Sequence, residues 1–340
     1  MTFPLPQGHA PLADTWLVTG VAGFIGSHLA ETLLRADRHV VGLDNFSTGT
    51  RANLADVAAR VRPEQWARFR LVEGDVRSAR DCRTALAGVD VALHQAALNS
   101  VPRSLAQPTE VLEVNTIGTT TVLRAAAEAG ARVVYASSSS VYGDVRTALR
   151  REPVLGNPLS PYAVSKRSGE LLATVYHQTA GLPVTGLRYF NVYGPRQNPD
   201  GPYSAVIPRW IRALLAGEPP VIYGDGMQSR DFTHVDNVVH ANLLAATGGA
   251  DRADVFNVGT GQGTSVRELF ETVRKALAEH ADVGHIEAVP APRREGDVES
   301  ALADLTMVAG WLGYRPHVEL AEGLAQTVEW FAGAREDCRA

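Results

Sequence analysis

The chain has 340 residues, of which 45% are hydrophobic and 20% charged, a balance typical of a folded globular protein. Its formal net charge is −5 and no run of Lys or Arg stands out, which argues against a nucleic-acid partner. Cys82 and Cys338 form neither a disulfide framework nor a metal-ligand spacing. With no leader pattern and no long apolar stretch, we expect a soluble cytoplasmic protein with no membrane contact and no bound metal.

Seven short apolar runs alternate with helical patterns along the chain. Each run has the length of a strand and is almost continuously apolar, as strands buried on both faces are. We therefore predict a doubly wound parallel α/β sheet, in which ligands bind beyond the carboxyl ends of the strands. In chain order the runs are WLVTG, HVVGLD, FRLVEGD, DVALHQAA, ARVVYASS, LPVTGLRYF and DVFNVGT.

The alternation breaks at Asn191 into a stretch rich in Gly and Pro, and it returns briefly around residues 254–258. This pattern predicts two interleaved units. One is a nucleotide-binding domain of residues 1–190 plus about 233–275. The other is a smaller α/β substrate lobe of about 191–232 plus 276–340.

Three glycines follow the first predicted strand and precede a helical pattern. Gly20, Gly23 and Gly26 are spaced GxxGxxG, one residue away from the common GxGxxG dinucleotide-binding motif. Glycines there let backbone amides and a helix N-terminus approach a pyrophosphate. A tight strand-to-helix turn without a ligand is the alternative. We predict a Rossmann-type domain whose cofactor contacts also include Phe24 and Ile25.

An acidic residue, Asp44, ends the second predicted strand about twenty residues after the glycines. A carboxylate there accepts the hydroxyls of an adenosine ribose and repels a 2′-phosphate, which favours NAD over NADP. Asp44 capping a turn is the alternative, and Arg51 nearby leaves NADP open. His94 is interpreted as a buried structural histidine. Further cofactor candidates at the strand ends are Asn45, Asp75, Val76, Gln95, Ala96, Ala97 and Ser137.

Tyr162 and Lys166 lie four residues apart, so on a helix they share one face. A cation beside a phenol, whose ordinary pKa is about 10, favours the phenolate. Tyr162 then serves as base for a substrate hydroxyl, and Ser138, after the fifth strand, holds that hydroxyl and relays the proton. A surface helix pair and a polar strand end are the alternatives. The Tyr–Lys pair and the strand-end serine occur together after a predicted nucleotide-binding motif, and this combination favours the catalytic interpretation.

Five motifs together resemble the extended short-chain dehydrogenase/reductases, and among them the sugar-nucleotide epimerases and dehydratases. They are TGVAGFIGSHL, SSSSVYG, SPYAVSK, GLRYFNVYGPRQ and GDGMQSRDFTHVDN. The resemblance covers the chain from Thr19 to about Asp304. It implies a homodimer, and it implies that Asn115 and Tyr189 join the glycines, the acidic residue and the Tyr–Lys pair around NAD.

The same resemblance implies a site for a UDP-sugar. Asn191 is expected to contact the substrate diphosphate. Arg230, Arg294 and Asp297 are expected to hold the diphosphate and the uridine ribose, and the fork of an arginine suits phosphate bidentately. Plain surface charge is the alternative for the arginines.

The residues after Ser138 distinguish among the reactions of this group. Related dehydratases carry an Asp–Glu pair, and decarboxylases a Glu, where this chain has Ser139 and Ser140. The remaining chemistry is oxidation at C4 followed by reduction from the opposite face, which is 4-epimerisation of a UDP-hexose. A UDP-glucuronate/galacturonate 4-epimerase is one alternative. A non-catalytic NAD-sensing protein is another, although such proteins typically lose the tyrosine or the lysine.

Ala301 stands where the galactose epimerases carry either a bulky tyrosine or a small residue. The small form resembles enzymes that admit N-acetylated sugars, which favours UDP-N-acetylglucosamine/UDP-N-acetylgalactosamine, with UDP-glucose/UDP-galactose also open. The alternative is that Ala301 only packs. The other substrate-binding candidates are Ser138, Ser139, Ser140, Asn191, Ala205, Val206 and Tyr223.

Overall fold

The computed structural model describes residues 14–200, 204–248, 253–293 and 299–337. A π-helical turn spans Glu113–Ile117 and a 3₁₀ turn spans Ser139–Tyr142. The strands are β1 (Thr15–Thr19), β2 (His39–Asp44), β3 (Phe69–Glu73), β4 (Val91–His94), β5 (Arg132–Ser138), β6 (Leu149–Arg150), β7 (Val184–Tyr189), β8 (Val192–Tyr193), β9 (Val221–Tyr223), β10 (Ser229–Arg230), β11 (Thr233–His234), β12 (Val255–Val258), β13 (Thr264–Ser265), β14 (Val289–Ala291) and β15 (Ser300–Ala303). The helices are α1 (Phe24–Arg35), α2 (Arg51–Arg60), α3 (Pro63–Trp66), α4 (Ala79–Leu86), α5 (Val101–Ala106), α6 (Pro108–Leu112), α7 (Gly118–Ala129), α8 (Pro161–Ala180), α9 (Val206–Leu215), α10 (Val235–Thr247), α11 (Val266–Leu277), α12 (Thr306–Leu312) and α13 (Leu320–Asp337).

Seven strands form one parallel sheet in the order β12-β7-β5-β4-β1-β2-β3. They are the seven apolar runs of the sequence, so the predicted doubly wound α/β fold is confirmed. The chain order reverses between β1 and β4. In such sheets the ligand crevice lies at that reversal, outside the carboxyl ends of the strands.

Helices cover both faces of this sheet. Helices α1, α10 and α12 pack in the core on one face, and α4, α7 and α8 pack in the core on the other. The central strands β1, β4 and β7 are almost wholly buried between these layers. Burial on both faces explains why their sequences are continuously apolar rather than alternating. Cys82 lies in the second of these cores, where burial raises the pKa of its thiol to about 12.

A second core lies among α9, α11 and α13, around large side chains such as Trp210 and Phe270. A four-stranded sheet has the order β13-β10-β15-β6, with β10 and β13 antiparallel, and its strand β6 comes from the segment between β5 and α8. The division into two units stays a prediction. The packing of α11 favours grouping residues 266–275 with the smaller lobe rather than with the nucleotide-binding domain.

Candidate active site

A cavity of about 1810 Å³ opens at the carboxyl ends of the strands of the large sheet. It exceeds the roughly 300–1,000 Å³ of a pocket for one small molecule, so it has room for a dinucleotide and a second ligand. The sequence-predicted residues that line it are Gly20, Gly23, Phe24, Ile25, Gly26, Asp44, Asn45, Asp75, Val76, Gln95, Ala96, Ala97, Ser137, Ser138, Ser139, Ser140, Tyr162, Lys166, Tyr189, Asn191 and Ala205.

The glycine turn needs glycine for steric reasons. Gly20 has φ +67°, and a Cβ there would lie 2.9 Å from the backbone of Ala96. A Cβ on Gly26 would lie 2.0 Å from the carbonyl oxygen of Gly20. Gly23 precedes α1 without a side-chain cap, so the first amides of the helix face the cavity as donors for an anion. The geometry fits the pyrophosphate of a dinucleotide.

Asp44 is 7% exposed at the end of β2 and does two things at once. Its carboxylate accepts from the amides of Ala22 (2.9 Å) and Phe46 (2.8 Å), and it also lines the cavity. Burial raises its pKa, against these hydrogen bonds. Arg51, the cation considered for a 2′-phosphate, instead pairs with Glu73 at 2.7 Å. The carboxylate of Asp44 at this position favours NAD, because it would repel a 2′-phosphate.

Asn115 lies away from the cavity lining, in the π-helical turn, and is 2% exposed. Its amide accepts from the Leu98 amide (2.8 Å) and donates to the Leu98 carbonyl (3.0 Å) and to the Ser165 hydroxyl (3.0 Å). The resemblance placed this residue beside the cofactor. In the structure it fixes the chain after β4 against α8, and so acts on the cavity through its wall.

The three predicted catalytic residues meet at the end of β5. Burial raises the pKa of the Tyr162 phenol, and the neighbouring Ser138 hydroxyl opposes that rise. The Lys166 ammonium lies 6.0 Å from the centre of the Tyr162 ring and donates to the Ala136 carbonyl at 2.8 Å. Burial lowers the pKa of Lys166 to about 8. The arrangement places a phenol, a hydroxyl and an ammonium group on one wall of the cavity.

His94 is 4% exposed and joins two strand ends to the helix behind them. Its Nδ1 lies 2.7 Å from the Thr19 hydroxyl, which also accepts from the amides of Gln95 and Ala96 at 3.2 Å. Because that hydroxyl accepts twice, its proton points to Nδ1, and the ring carries its hydrogen on Nε2, 3.1 Å from Thr119. Burial lowers the pKa of His94 to about 3. The predicted structural histidine is therefore a neutral one.

Tyr189 contributes to the cavity wall as part of a triangle of side chains. Its hydroxyl donates to Gln95 (3.1 Å) and accepts from Asn242 (2.8 Å), and Gln95 also donates to Asn242 (3.1 Å). Asn242 was missed in the sequence. Its only sequence signal is an asparagine within the apolar pattern of α10, at a position that is 0% exposed.

The substrate candidates divide into three groups. In the first group, Ser138, Ser139, Ser140, Asn191 and Ala205 line the cavity. Val206, Tyr223, Arg230 and Ala301 do not line it. Arg230 on β10 pairs in register with Ala301 on β15, which brings these two candidates together. Arg294 and Asp297 lie outside the described residues.

Comparison with known proteins identifies the family of this chain. The model of the NAD dependent epimerase/dehydratase family matches residues 16–259. The chain belongs to this family. The resemblance to the extended short-chain dehydrogenase/reductases is thus confirmed, and so is NAD as the cofactor.

Members of the family with different activities are similar to this chain. A UDP-glucose 4-epimerase of Mycolicibacterium smegmatis is 40% identical over 93% of this chain and 97% of its own length. A dTDP-glucose 4,6-dehydratase of Streptomyces griseus is 39% identical over 93% of both chains. The solved structure of a UDP-N-acetylglucosamine 4-epimerase of Methanobrevibacter ruminantium, in complex with UDP-N-acetylmuramic acid, has a TM-score of 0.86 at 35% identity. It covers 94% of this chain and 99% of that one.

Proposed function

We propose that this family member is an NAD-dependent 4-epimerase of a UDP-hexose, most readily UDP-N-acetylglucosamine and UDP-N-acetylgalactosamine. NAD, held by the glycine turn and Asp44, would supply the acceptor for a hydride from C4 and the donor for its return. Tyr162 takes the proton of the C4 hydroxyl and gives it back, and Ser138 holds that hydroxyl. Lys166 keeps a positive charge near the phenol, which favours the phenolate. The observation that carries this proposal is the meeting of these three side chains on the wall of an NAD-sized cavity.

Identity alone does not separate epimerase from dehydratase, since relatives of the two kinds are 40% and 39% identical to this chain. The residues beside Ser138 favour the epimerase. Ser139 and Ser140 line the cavity in the 3₁₀ turn, and neither carries a carboxyl group. Elimination of water needs an additional acid and base, which hydroxyl groups of ordinary pKa supply poorly at neutral pH. A 4-epimerase needs no such pair.

The choice of sugar rests on the small side chain of Ala301, a residue that does not itself line the described cavity. This residue is half-buried on β15, next to Arg230, which is the candidate for the substrate diphosphate. A methyl side chain there leaves space that a tyrosine ring would fill, and an N-acetyl group needs space. A uronate epimerase is the second candidate enzyme, and it would require a cation at the C6 end of the sugar.

Turnover of purified protein tests the proposal. UDP-N-acetylglucosamine, UDP-glucose and UDP-glucuronate are incubated separately, and the products are separated by anion exchange and identified by NMR. We expect 4-epimers of the first two, with higher kcat/KM for the N-acetylated sugar and no net change in NAD redox state. Exclusive turnover of the uronate, or release of a 4-keto-6-deoxy product, would contradict the proposal.

We also propose that the enzyme acts as a homodimer in the cytoplasm. Helix α8, which carries Tyr162, exposes Val164 (43%), Leu171 (55%) and Val175 (51%), and Ile117 (53%) lies on the adjacent π-helical turn. Large apolar side chains grouped in this way are typical of a protein interface. None of the helices in the described part of the chain is long and apolar enough to cross a membrane.

A further inference from the structure

Glu170 and Arg188 form an ion pair inside the protein, with side chains 2% and 3% exposed. The pairing is bidentate: Arg188 Nε donates to Oε1 at 2.8 Å and Nη2 donates to Oε2 at 2.9 Å. Buried ion pairs are often replaceable by apolar side chains without loss of stability. Fold stability is therefore a weak explanation for this pair, and its position gives a better one.

The pair connects the elements that carry the catalytic residues. Glu170 lies on α8 one turn after Lys166 and two turns after Tyr162. Its Oε1 also accepts from the hydroxyl of Ser137 at 2.7 Å, and Ser137 directly precedes Ser138 on β5. The helix that carries the base and the strand that carries the proton relay are therefore joined through one carboxylate.

Arg188 extends the same connection to a third element. It directly precedes Tyr189 on β7 and pairs in register with Ser137 of β5. Its Nη1 donates to the hydroxyl of Tyr142 at 3.1 Å and to the carbonyl of Glu152 at 3.0 Å. Each of these groups lies behind the cavity wall, so the guanidinium fixes the relative positions of β5, β7 and the turn after β5.

Both oxygens of the Glu170 carboxylate accept hydrogen bonds. Besides Ser137 and Arg188, it accepts from Arg167 Nη1 at 2.7 Å. Burial would raise the pKa of Glu170, but the hydrogen bonds and charge of Arg188 outweigh it and hold the pKa below its usual value. To accept all of these hydrogen bonds, the side chain of Glu170 must be ionised and correctly placed. A neutral amide of the same shape can accept on one atom only.

We propose that Glu170 and Arg188, through Ser137, are positioning residues that hold the Tyr162 phenol and the Ser138 hydroxyl at reacting distance from the C4 hydroxyl. The proposal rests on the catalytic roles given above. Neither residue touches the reacting atoms, so their effect is on geometry. A displacement of about 1 Å at a reacting pair can cost about 100-fold in rate.

Two variants of graded severity test this role. Ser137→Ala removes one hydrogen bond to Glu170 and leaves the ion pair intact. Glu170→Gln removes the charge and part of the acceptor set. We expect kcat to fall about tenfold in the first and about 100-fold in the second, with KM within twofold of wild type. Thr327→Val, which removes a hydroxyl that is likewise buried but lies on α13, is the matched control and should keep the wild-type kcat.

Bound NAD per subunit and circular dichroism are measured on every variant, because Ser137 also lines the cavity and Glu170→Gln leaves Arg188 buried without its partner. If Glu170→Gln does not fold, Ser137→Ala alone decides. A kcat loss at full NAD content and unchanged KM supports positioning. Wild-type kcat in folded Ser137→Ala, or a loss that merely follows the folded fraction or the NAD content, overturns it. Failure of the wild-type chain to epimerise any UDP-sugar would instead refute the proposed function.

Discussion

Tyr162 is 8% exposed and lies beside Ser138, so removal of its hydroxyl deletes the proposed base while leaving the buried ring in place. We expect Tyr162→Phe to lower kcat by about 10²–10⁴-fold, the usual contribution of general base catalysis, with little change in NAD content. Tyr176→Phe on the same helix is the control and should retain wild-type turnover. Unchanged turnover in Tyr162→Phe would mean that another group is the base.

Ala301 offers a second test at the scale of a side chain. Ala301→Tyr fills the space that we assign to the N-acetyl group, so kcat/KM for UDP-N-acetylglucosamine should fall about 10–200-fold. The value for UDP-glucose should stay within a few-fold of wild type, because the smaller 2-hydroxyl needs less space. Both values come from the same coupled assay. Equal losses for the two substrates would show that Ala301 acts only through packing.

His94 makes stability depend on pH. Its folded pKa is about 3 against an ordinary value of 6.5, so the unfolded chain binds more protons between these values. The contribution of neutral His94 to the free energy of unfolding is complete above about pH 6.5 and is lost as the pH falls toward 3. His94→Gln should therefore reduce the stability difference between pH 7 and pH 5 by about 2 kcal/mol, measured by urea unfolding. An unchanged difference would contradict a neutral His94.

Helix α8 begins with a cap that holds its first turn, and Tyr162 lies in that turn. Ser160 accepts from the Ala163 amide at 3.1 Å, and Ser78 accepts from the Asp81 amide at 3.3 Å at the start of α4. Ser160→Ala and Ser78→Ala should each cost about 1 kcal/mol of stability. Only Ser160→Ala should also lower kcat, by several-fold, because only its helix carries the base. Equal kcat values in the two variants would contradict this prediction and show that the cap of α8 does not affect catalysis.

The π-helical turn Glu113–Ile117 is another element whose irregularity serves the site. An α-helix with one extra residue per turn shifts the residues that follow, and such turns are frequent at functional sites. Here the turn directs the Asn115 amide to Leu98 and Ser165. The segment after β4 and the helix that carries Tyr162 are thus connected through Asn115, independently of Glu170.

At the scale of the whole molecule, the apolar face of α8 predicts the assembly state. Leu171→Glu places a charge in the proposed interface and should convert a dimer to a monomer, measured by light scattering after gel filtration. Val154→Glu is the control, since Val154 is exposed to a similar extent (51%, against 55% for Leu171) but lies in the loop before α8. A wild-type chain that is already monomeric at micromolar concentration would contradict the dimer.

Local patterns in the sequence determined the large sheet and much of the candidate site. The seven apolar runs became its seven strands, and the central ones are continuously apolar because both of their faces are covered, whereas the edge strand β3 stays partly exposed. Gly20 and Gly26 were identifiable because their spacing reflects a steric need of one short turn. Ser138, Tyr162 and Lys166 were identifiable because strand ends converge and helical spacing puts residues four apart on one face.

Only the tertiary structure decided the contacts between residues far apart in the chain. Ser137, assigned to the cofactor from its position, donates to Glu170 at a separation of 33 residues, and Gln95 meets Asn242 at a separation of 147. Asn115 likewise accepts from the backbone amide of Leu98, seventeen residues earlier in the chain. Periodicity reports which face of an element is buried, but not which element packs against it. That choice depends on strand order and helix packing, which arise from the whole fold.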